Sequence, residues 1–199
     1  MASQGPNSPG SVSNVTFTTI AWTNPSNAAS NNSTYSTVAL NNGEQADYLS
    51  ATNYGFSIPS DGTIVGVQVD IKCLVTGGTG VNSNTRLVKA GTAVGSNLQI
   101  TPTSDQYYTL GGSSNMWGTT LTPAEANATN YGVQTSFYNA DPATRGIYVD
   151  HIQMTIFYTP AATGGMFFGF FRKAWQWITG TRVKKQVRIF RPQPVLAGV

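Results

Sequence analysis

Residues 64–75 read IVGVQVDIKCLV, and apolar side chains recur at every second position from Val65 to Val75. Alternation with this period places one set of side chains in a core and leaves the other set mostly in contact with water. The pattern holds over twelve residues, with no helical spacing inside it. It therefore predicts a long β-strand with one buried face.

Similar patterns recur between residues 15 and 159. A second clear strand is predicted over residues 147–158, where apolar residues again alternate with polar ones. Weaker strand patterns cover residues 16–22, 35–40, 85–89, 107–110 and 132–138. Turn-forming sequences such as Asn41-Asn42-Gly43 separate the strands. Several short strands without a long helical period predict an all-β, jelly-roll-like antiparallel β-sandwich.

The composition agrees with a folded β protein. Only 10% of the 199 residues are charged, and 40% are hydrophobic, which is too apolar for a disordered chain. The single cysteine excludes an internal disulfide and a zinc site built from cysteines. Because Cys73 lies in the alternating run, we expect it in the core as a small apolar residue.

The distribution of charge divides the sequence near Pro160. Residues 1–159 contain all eight acidic residues and four basic ones, so their net charge is 4 − 8 = −4. Residues 160–199 contain seven basic residues and no acidic one. We therefore predict a β-sandwich domain over 15–159 and a basic, aromatic C-terminal arm over 160–199. Residues 1–14, rich in Ser, Gly, Pro and Asn, are predicted as a flexible arm without a secretory signal.

Few residues in this sequence could perform catalysis. His151 is the one histidine, and on a regular strand its neighbour Asp150 would point to the opposite face. That arrangement separates the imidazole from a carboxylate that could orient it. The carboxylates are scattered, and no calcium-loop motif occurs. We therefore expect no enzyme, no metal site and no cofactor.

The C-terminal arm is predicted to dock onto a partner. Residues 166–178 would form a helix with a broad apolar face, interrupted by two cations and too short to span a membrane. Residues 183–191 alternate as a strand with a basic face, which suits addition to the edge of a sheet. The predicted docking residues are Phe167, Phe168, Phe171, Trp175, Trp177, Ile178, Arg182, Lys184, Lys185 and Arg188.

Three kinds of partner fit this arm. It could dock onto an acidic surface of a neighbouring protein subunit, or its cations could meet the phosphates of packaged DNA without reading sequence. A basic aromatic helix can also lie on an anionic bilayer. We favour protein docking, and we do not expect a membrane to be the partner.

Several short motifs occur in an order that resembles a known family. They are Ala21-Trp22-Thr23-Asn24-Pro25, Ala51-Thr52-Asn53-Tyr54-Gly55-Phe56-Ser57-Ile58-Pro59, Ile64-Val65-Gly66-Val67, Met116-Trp117-Gly118, Asn130-Tyr131-Gly132-Val133 and Tyr148-Val149-Asp150-His151-Ile152. Together they resemble a family of tailed-bacteriophage virion structural proteins. The resemblance covers roughly residues 15–159 and has no counterpart for residues 160–199.

The resemblance implies a jelly-roll-like domain located in a virion and no assigned chemistry. The expected function is a non-enzymatic structural component, such as a head decoration or cement protein or a head–tail neck protein. Its partners would be major capsid, portal or neck subunits and further copies of itself.

The alternative is a surface carbohydrate-binding module, with Tyr107, Tyr108 and Trp117 as the candidate glycan contacts. A competing interpretation of Trp117, like that of Trp22, is packing in the core.

Overall fold

The fold is described by a computed structural model that covers residues 1–77 and 79–161. These residues form ten strands: β1 (Ala2–Asn7), β2 (Ser11–Val15), β3 (Ser36–Leu40), β4 (Tyr48–Thr52), β5 (Thr63–Val75), β6 (Val81–Lys89), β7 (Thr92–Leu98), β8 (Gln106–Gly112), β9 (Gly132–Asn139) and β10 (Arg145–Thr159). A 3₁₀ turn (Pro25–Ala28) and one short helix, α1 (Pro123–Ala126), lie between strands.

The strands form two antiparallel sheets. The first sheet has the order β1-β10-β5-β8, with β3 pairing with the other half of β10. The second sheet has the order β2-β4-β9-β6-β7. One apolar core is built from both sheets, including Ile71 and Ile152 of the first and Leu49 and Phe137 of the second, none of which is exposed. The predicted jelly-roll-like antiparallel β-sandwich is confirmed.

The two strongest strand predictions match the two longest strands. The alternating run becomes β5, whose residues Val67, Val69, Ile71 and Cys73 are fully buried. Strand β10 pairs antiparallel with β5 along almost its whole length. This pair forms the centre of the first sheet, because period-two alternation over such a length leaves one face to pack in the core.

The N-terminal segment departs from its prediction. Residues 1–14 were expected to form a flexible arm, but β1 pairs with β10 and β2 pairs with β4. The composition of the segment is that of a loop, and its strands are fixed by partners distant in sequence. The flexible arm is therefore corrected to two edge strands that complete the two sheets.

The predicted strand over residues 16–22 is also wrong. The carboxylate of Asp47 accepts hydrogen bonds from the backbone N–H groups of Phe17 and Thr18, at 2.8 and 2.7 Å, and from Asn14 Nδ2 at 2.8 Å. Burial alone would raise the pKa of Asp47, but these hydrogen bonds lower it to about 2. The carboxylate thus holds the segment as an irregular loop, since its N–H groups bond to a side chain instead of a strand.

Residues 162–199 of the C-terminal arm lie outside the described residues. Its predicted docking residues, from Phe167 to Arg188, and the proposed helix and strand therefore stay predictions. The same holds for oligomer formation and for contact with DNA. Within the described part of the chain, no helix is long and apolar enough to cross a bilayer.

Cys73 supplies a test of the core. Its side chain has no exposed surface, and burial raises the pKa of its thiol well above the ordinary value. Because the thiolate is the reactive form, we expect a disulfide reagent such as DTNB to leave the native protein unlabelled. In concentrated guanidinium chloride the same reagent should label one thiol per chain. Rapid labelling of the native protein would contradict the placement of Cys73 in the core.

Candidate functional site

The outer face of the first sheet carries a cluster of polar and aromatic side chains. Lys72 lies on β5 between Ile71 and Cys73, which are both fully buried, so its own side chain points away from the core. Tyr107 on β8 and His151 on β10 pair with Lys72 from either side. Directly paired residues share a face of a sheet, so these three side chains adjoin one another.

A β-bulge in β10 adds Asp150 to the same face. The register moves from Val149 opposite Cys73 to His151 opposite Lys72, which leaves Asp150 as the extra residue. The carboxylate of Asp150 then reaches Lys72 while His151 reaches its own partners on the face. The prediction that Asp150 and His151 point to opposite faces is therefore wrong.

The buried carboxylate of Asp150 anchors one edge of the cluster. Its Oδ2 accepts a hydrogen bond from Lys72 Nζ at 2.8 Å. Its Oδ1 accepts hydrogen bonds from the backbone N–H groups of Asn32 and Ser33, at 3.1 and 2.9 Å. Lys72 Nζ also donates to Asn31 Oδ1 at 2.8 Å. The hydrogen bond to Asp150 raises the pKa of Lys72, so the cation persists and residues 31–33 are held beside the sheet.

His151 fixes the position of the exposed ring of Tyr107. The His151 side chain is buried, its Nδ1 lies 2.9 Å from the Tyr107 hydroxyl, and its Nε2 lies 2.9 Å from Ser8 Oγ. The two rings meet edge to face with centroids 6.1 Å apart. Tyr107 itself is 38% exposed. A flat aromatic surface is thus presented to solvent by a strand and braced by a buried histidine.

A second tyrosine forms the rim of the cluster. Tyr35 is half-buried and packs edge-on against Tyr148 with ring centroids 5.9 Å apart. Its hydroxyl donates to Oδ2 of the exposed Asp105 at 3.3 Å. We call the surface formed by Lys72, Tyr107, Asp150 and His151, with Tyr35 and Asp105 at its rim, the Tyr107 face.

A strip of amide and hydroxyl groups continues from the Tyr107 face along β5. Asp70 is two residues from Lys72, and its carboxylate accepts hydrogen bonds from Thr109 Oγ1 at 2.6 Å and from Gln68 Nε2 at 3.0 Å. Gln153 Nε2 lies 3.4 Å from the same carboxylate. These bonds fix the side chains in one arrangement, so the face is a preorganised surface of donors and acceptors.

The three predicted glycan contacts have different surroundings. Tyr107 is exposed, as that role requires. Tyr108 is half-buried, and its hydroxyl is bonded to the backbone of Thr103 and Ser104. Trp117 is only 1% exposed and donates from Nε1 to the carbonyl of Val67 at 2.9 Å. Trp117 is therefore a packing residue, and its prediction as a glycan contact is corrected.

The described residues offer few other sites for chemistry. Among residues 1–77 and 79–161, no group of three or more His, Cys, Asp or Glu side chains is placed to hold a metal ion. A surface pocket of about 400 Å³ lies between residues 62–64 and 116–123. Its lining consists of uncharged side chains, so it brings together no acidic or basic group.

The buried histidine predicts a pH dependence of stability. Burial lowers the pKa of His151 from its ordinary value of 6.5, with Asp150 acting in the opposite direction and Lys72 in the same one. The unfolded chain then binds the proton more readily than the folded protein. The free energy of unfolding should therefore fall as the pH drops below about 6.5.

Urea unfolding at several pH values would measure this loss. The values would run from about 7.5 to about 5.5, a range that spans the ordinary pKa of histidine. His151→Gln, which keeps a polar side chain but does not titrate, should lose less stability over the same interval. Equal losses in both proteins would contradict the assignment of the effect to His151.

Comparisons with known proteins give distant structural matches. No protein-family model matches the chain, and no curated protein matches it. One similar structure, described as "CBM4 structure and function", has a TM-score of 0.34 at 14% identity and covers 60% of this chain and 82% of that one. Another is TmCBM61 in complex with β-1,4-galactotriose, with a TM-score of 0.37 at 13% identity, covering 66% of this chain and 77% of that one.

Both of these structures are carbohydrate-binding modules. The prediction that this chain is a structural component of a bacteriophage virion is contradicted by that finding, and it is corrected here. The predicted fold is unaffected, because a β-sandwich can carry many functions.

Proposed function

We propose that this chain is a non-catalytic carbohydrate-binding domain whose ligand lies on the Tyr107 face. The main support for the proposal is the exposed ring of Tyr107. The ring projects from strand β8, and its hydroxyl is fixed by the buried His151. Tyrosine offers flat apolar area together with a polar tip. That combination suits a sugar, whose ring has an apolar face of C–H groups and an edge of hydroxyl groups.

The surroundings of Tyr107 support the same proposal. Lys72 and Asp105 place one cation and one carboxylate on the Tyr107 face, and Asn31 adds an amide beside Lys72. Hydrogen bonds to neighbouring protein groups fix the positions of all three. Hydroxyl groups of a sugar both donate and accept, so they can pair with each of these groups. Because the side chains are already ordered, binding would cost little side-chain entropy.

The hydrogen bonds of His151 support binding without catalysis. A serine nucleophile needs a histidine base, and the base in turn is oriented by a third group, most often a carboxylate. Here Ser8 Oγ does lie 2.9 Å from His151 Nε2, but the other ring nitrogen bonds to the Tyr107 hydroxyl. The carboxylate of Asp150 is occupied by Lys72 and two backbone N–H groups.

Affinity electrophoresis of the full chain would test the proposal. Native gels would contain one of a panel of soluble polysaccharides, and migration would be compared with that in a gel without polysaccharide. We expect at least one polysaccharide to retard the protein and its free oligosaccharides to reverse the retardation. Unchanged migration across the whole panel would overturn the proposed function.

A further inference from the structure

The charges on the Tyr107 face do not cancel. Lys72 contributes +1, while Asp150, Asp105 and Asp70 contribute −1 each, so the face and its strip sum to 1 − 3 = −2. The cation is also unavailable to a ligand as a free charge, because its ammonium group is 2.8 Å from the buried carboxylate of Asp150. The charges left for a ligand to meet are therefore negative.

The two remaining carboxylates are bonded only to uncharged groups. Asp105 is exposed at the rim and accepts a hydrogen bond from the Tyr35 hydroxyl. Asp70 is bonded to Thr109, Gln68 and Gln153. Both can accept hydrogen bonds from hydroxyl groups, but neither can pair with a carboxylate or sulfate at neutral pH.

No other lysine or arginine side chain of the described residues compensates for them. Lys89 and Arg145 form ion pairs with Glu125 and Asp141, each at 2.8 to 2.9 Å. Arg86 is exposed on β6, which belongs to the second sheet. Like charges brought together at an interface oppose binding, whereas an uncharged ligand meets no such barrier.

We infer that the Tyr107 face binds uncharged carbohydrate chains and discriminates against acidic ones, with Asp105 as the main determinant; this inference rests on the proposed function. Asp105 has this role because it is the exposed carboxylate of the face, next to Tyr35 at the rim. The buried Asp70 adds to the negative potential from within the sheet.

The test must separate binding at the Tyr107 face from attraction to the seven cations of residues 160–199. Each acidic polysaccharide in a panel would be paired with its carboxyl-reduced derivative, which has the same linkages without the charge. Affinities of the full chain would be measured for both, in the wild type and in Tyr107→Ala. The quantity compared is the difference in binding free energy between the wild type and Tyr107→Ala, which we call Tyr107-dependent binding.

We expect this Tyr107-dependent binding to be about tenfold or more tighter for the uncharged member of a pair. Asp105→Asn, which keeps an acceptor for Tyr35, should narrow that difference by improving binding of the acidic member.

Two other results would count against the inference in different ways. Tyr107-dependent binding that is equal for both members, or tighter for the acidic one, would overturn the inference and leave the proposed function standing. If Tyr107→Ala changed binding to no member of any pair, the proposed function would fail together with the inference.

Discussion

Replacing Tyr107 with alanine should weaken carbohydrate binding about tenfold or more, which corresponds to about 1.4 kcal/mol of binding free energy. The ring is 38% exposed and is the aromatic surface that the Tyr107 face presents to solvent. Aromatic residues commonly supply much of the energy at binding surfaces. Loss of the Tyr107 ring removes the surface on which a sugar would stack, while the surrounding polar groups remain. Isothermal titration calorimetry with an oligosaccharide that reverses the retardation in native gels would measure the change.

Two further variants test whether the loss of affinity is specific to the ring of Tyr107. Tyr138→Ala is the matched control, because Tyr138 is 37% exposed but lies on β9 in the second sheet. It should leave affinity unchanged. Tyr107→Phe keeps the ring and removes only the hydroxyl that meets His151, so it should retain most of the affinity. Equal losses in Tyr107→Ala and Tyr138→Ala would contradict the location of the site.

Replacing Trp117 with alanine should lower the free energy of unfolding by about 3–5 kcal/mol. The side chain is almost completely buried, and its Nε1 donates to the carbonyl of Val67. Its ring also lies close against Gly111, where an added Cβ would sit 2.6 Å from Nε1. Alanine would leave a large cavity and an unpaired carbonyl. Equilibrium unfolding in urea, followed by circular dichroism, would measure the loss.

The matched control for this prediction is Trp117→Phe. It restores much of the apolar volume but not the hydrogen bond to Val67, so its loss of stability should be clearly smaller. Neither variant should change carbohydrate affinity under conditions where the protein is folded. Normal stability combined with lost binding in Trp117→Ala would instead make Trp117 a contact residue, against its burial.

The strands that could be predicted from the sequence are those with unbroken alternation. Strand β5 keeps period two over its length and was found with nearly correct ends, Thr63–Val75. Strands β1, β2, β4 and β7 were missed because their patterns are short or lack regular apolar alternation, and β7 also contains Gly95. Their conformation depends on pairing with strands elsewhere in the sequence.

Of the candidate site only Tyr107 was predicted, and the other members of the cluster were missed for a related reason. Lys72, Asp150 and His151 come together because β10 contains a bulge, which changes the face of every residue before it. The sequence does hold a signal for this bulge. The buried apolar residues of β10 are Ile147, Val149, Ile152, Met154 and Ile156, with one step of three residues among steps of two. Applying period two without that step placed Asp150 and His151 on opposite faces.

The partners of the site could not have been predicted from spacing. Ser8, Asn31 and Tyr107 reach the cluster from three separate segments, and only the sheet topology brings them to β5 and β10. Exposure of an aromatic residue is equally hard to read from sequence. From the sequence, Tyr107 and Trp117 are equally good candidates for stacking on a sugar. In the structure Tyr107 is exposed and Trp117 is buried.

Chemical-shift mapping tests the location of the binding site most directly. The full, ¹⁵N-labelled chain would be titrated with an uncharged oligosaccharide that reverses its retardation in gels. We expect the amide signals that move to belong to the strands under the Tyr107 face, around Lys72, Tyr107 and His151, and to residues 31–33. Movements confined to the second sheet, around Tyr138, would contradict the proposed site. So would a titration in which no signal moves.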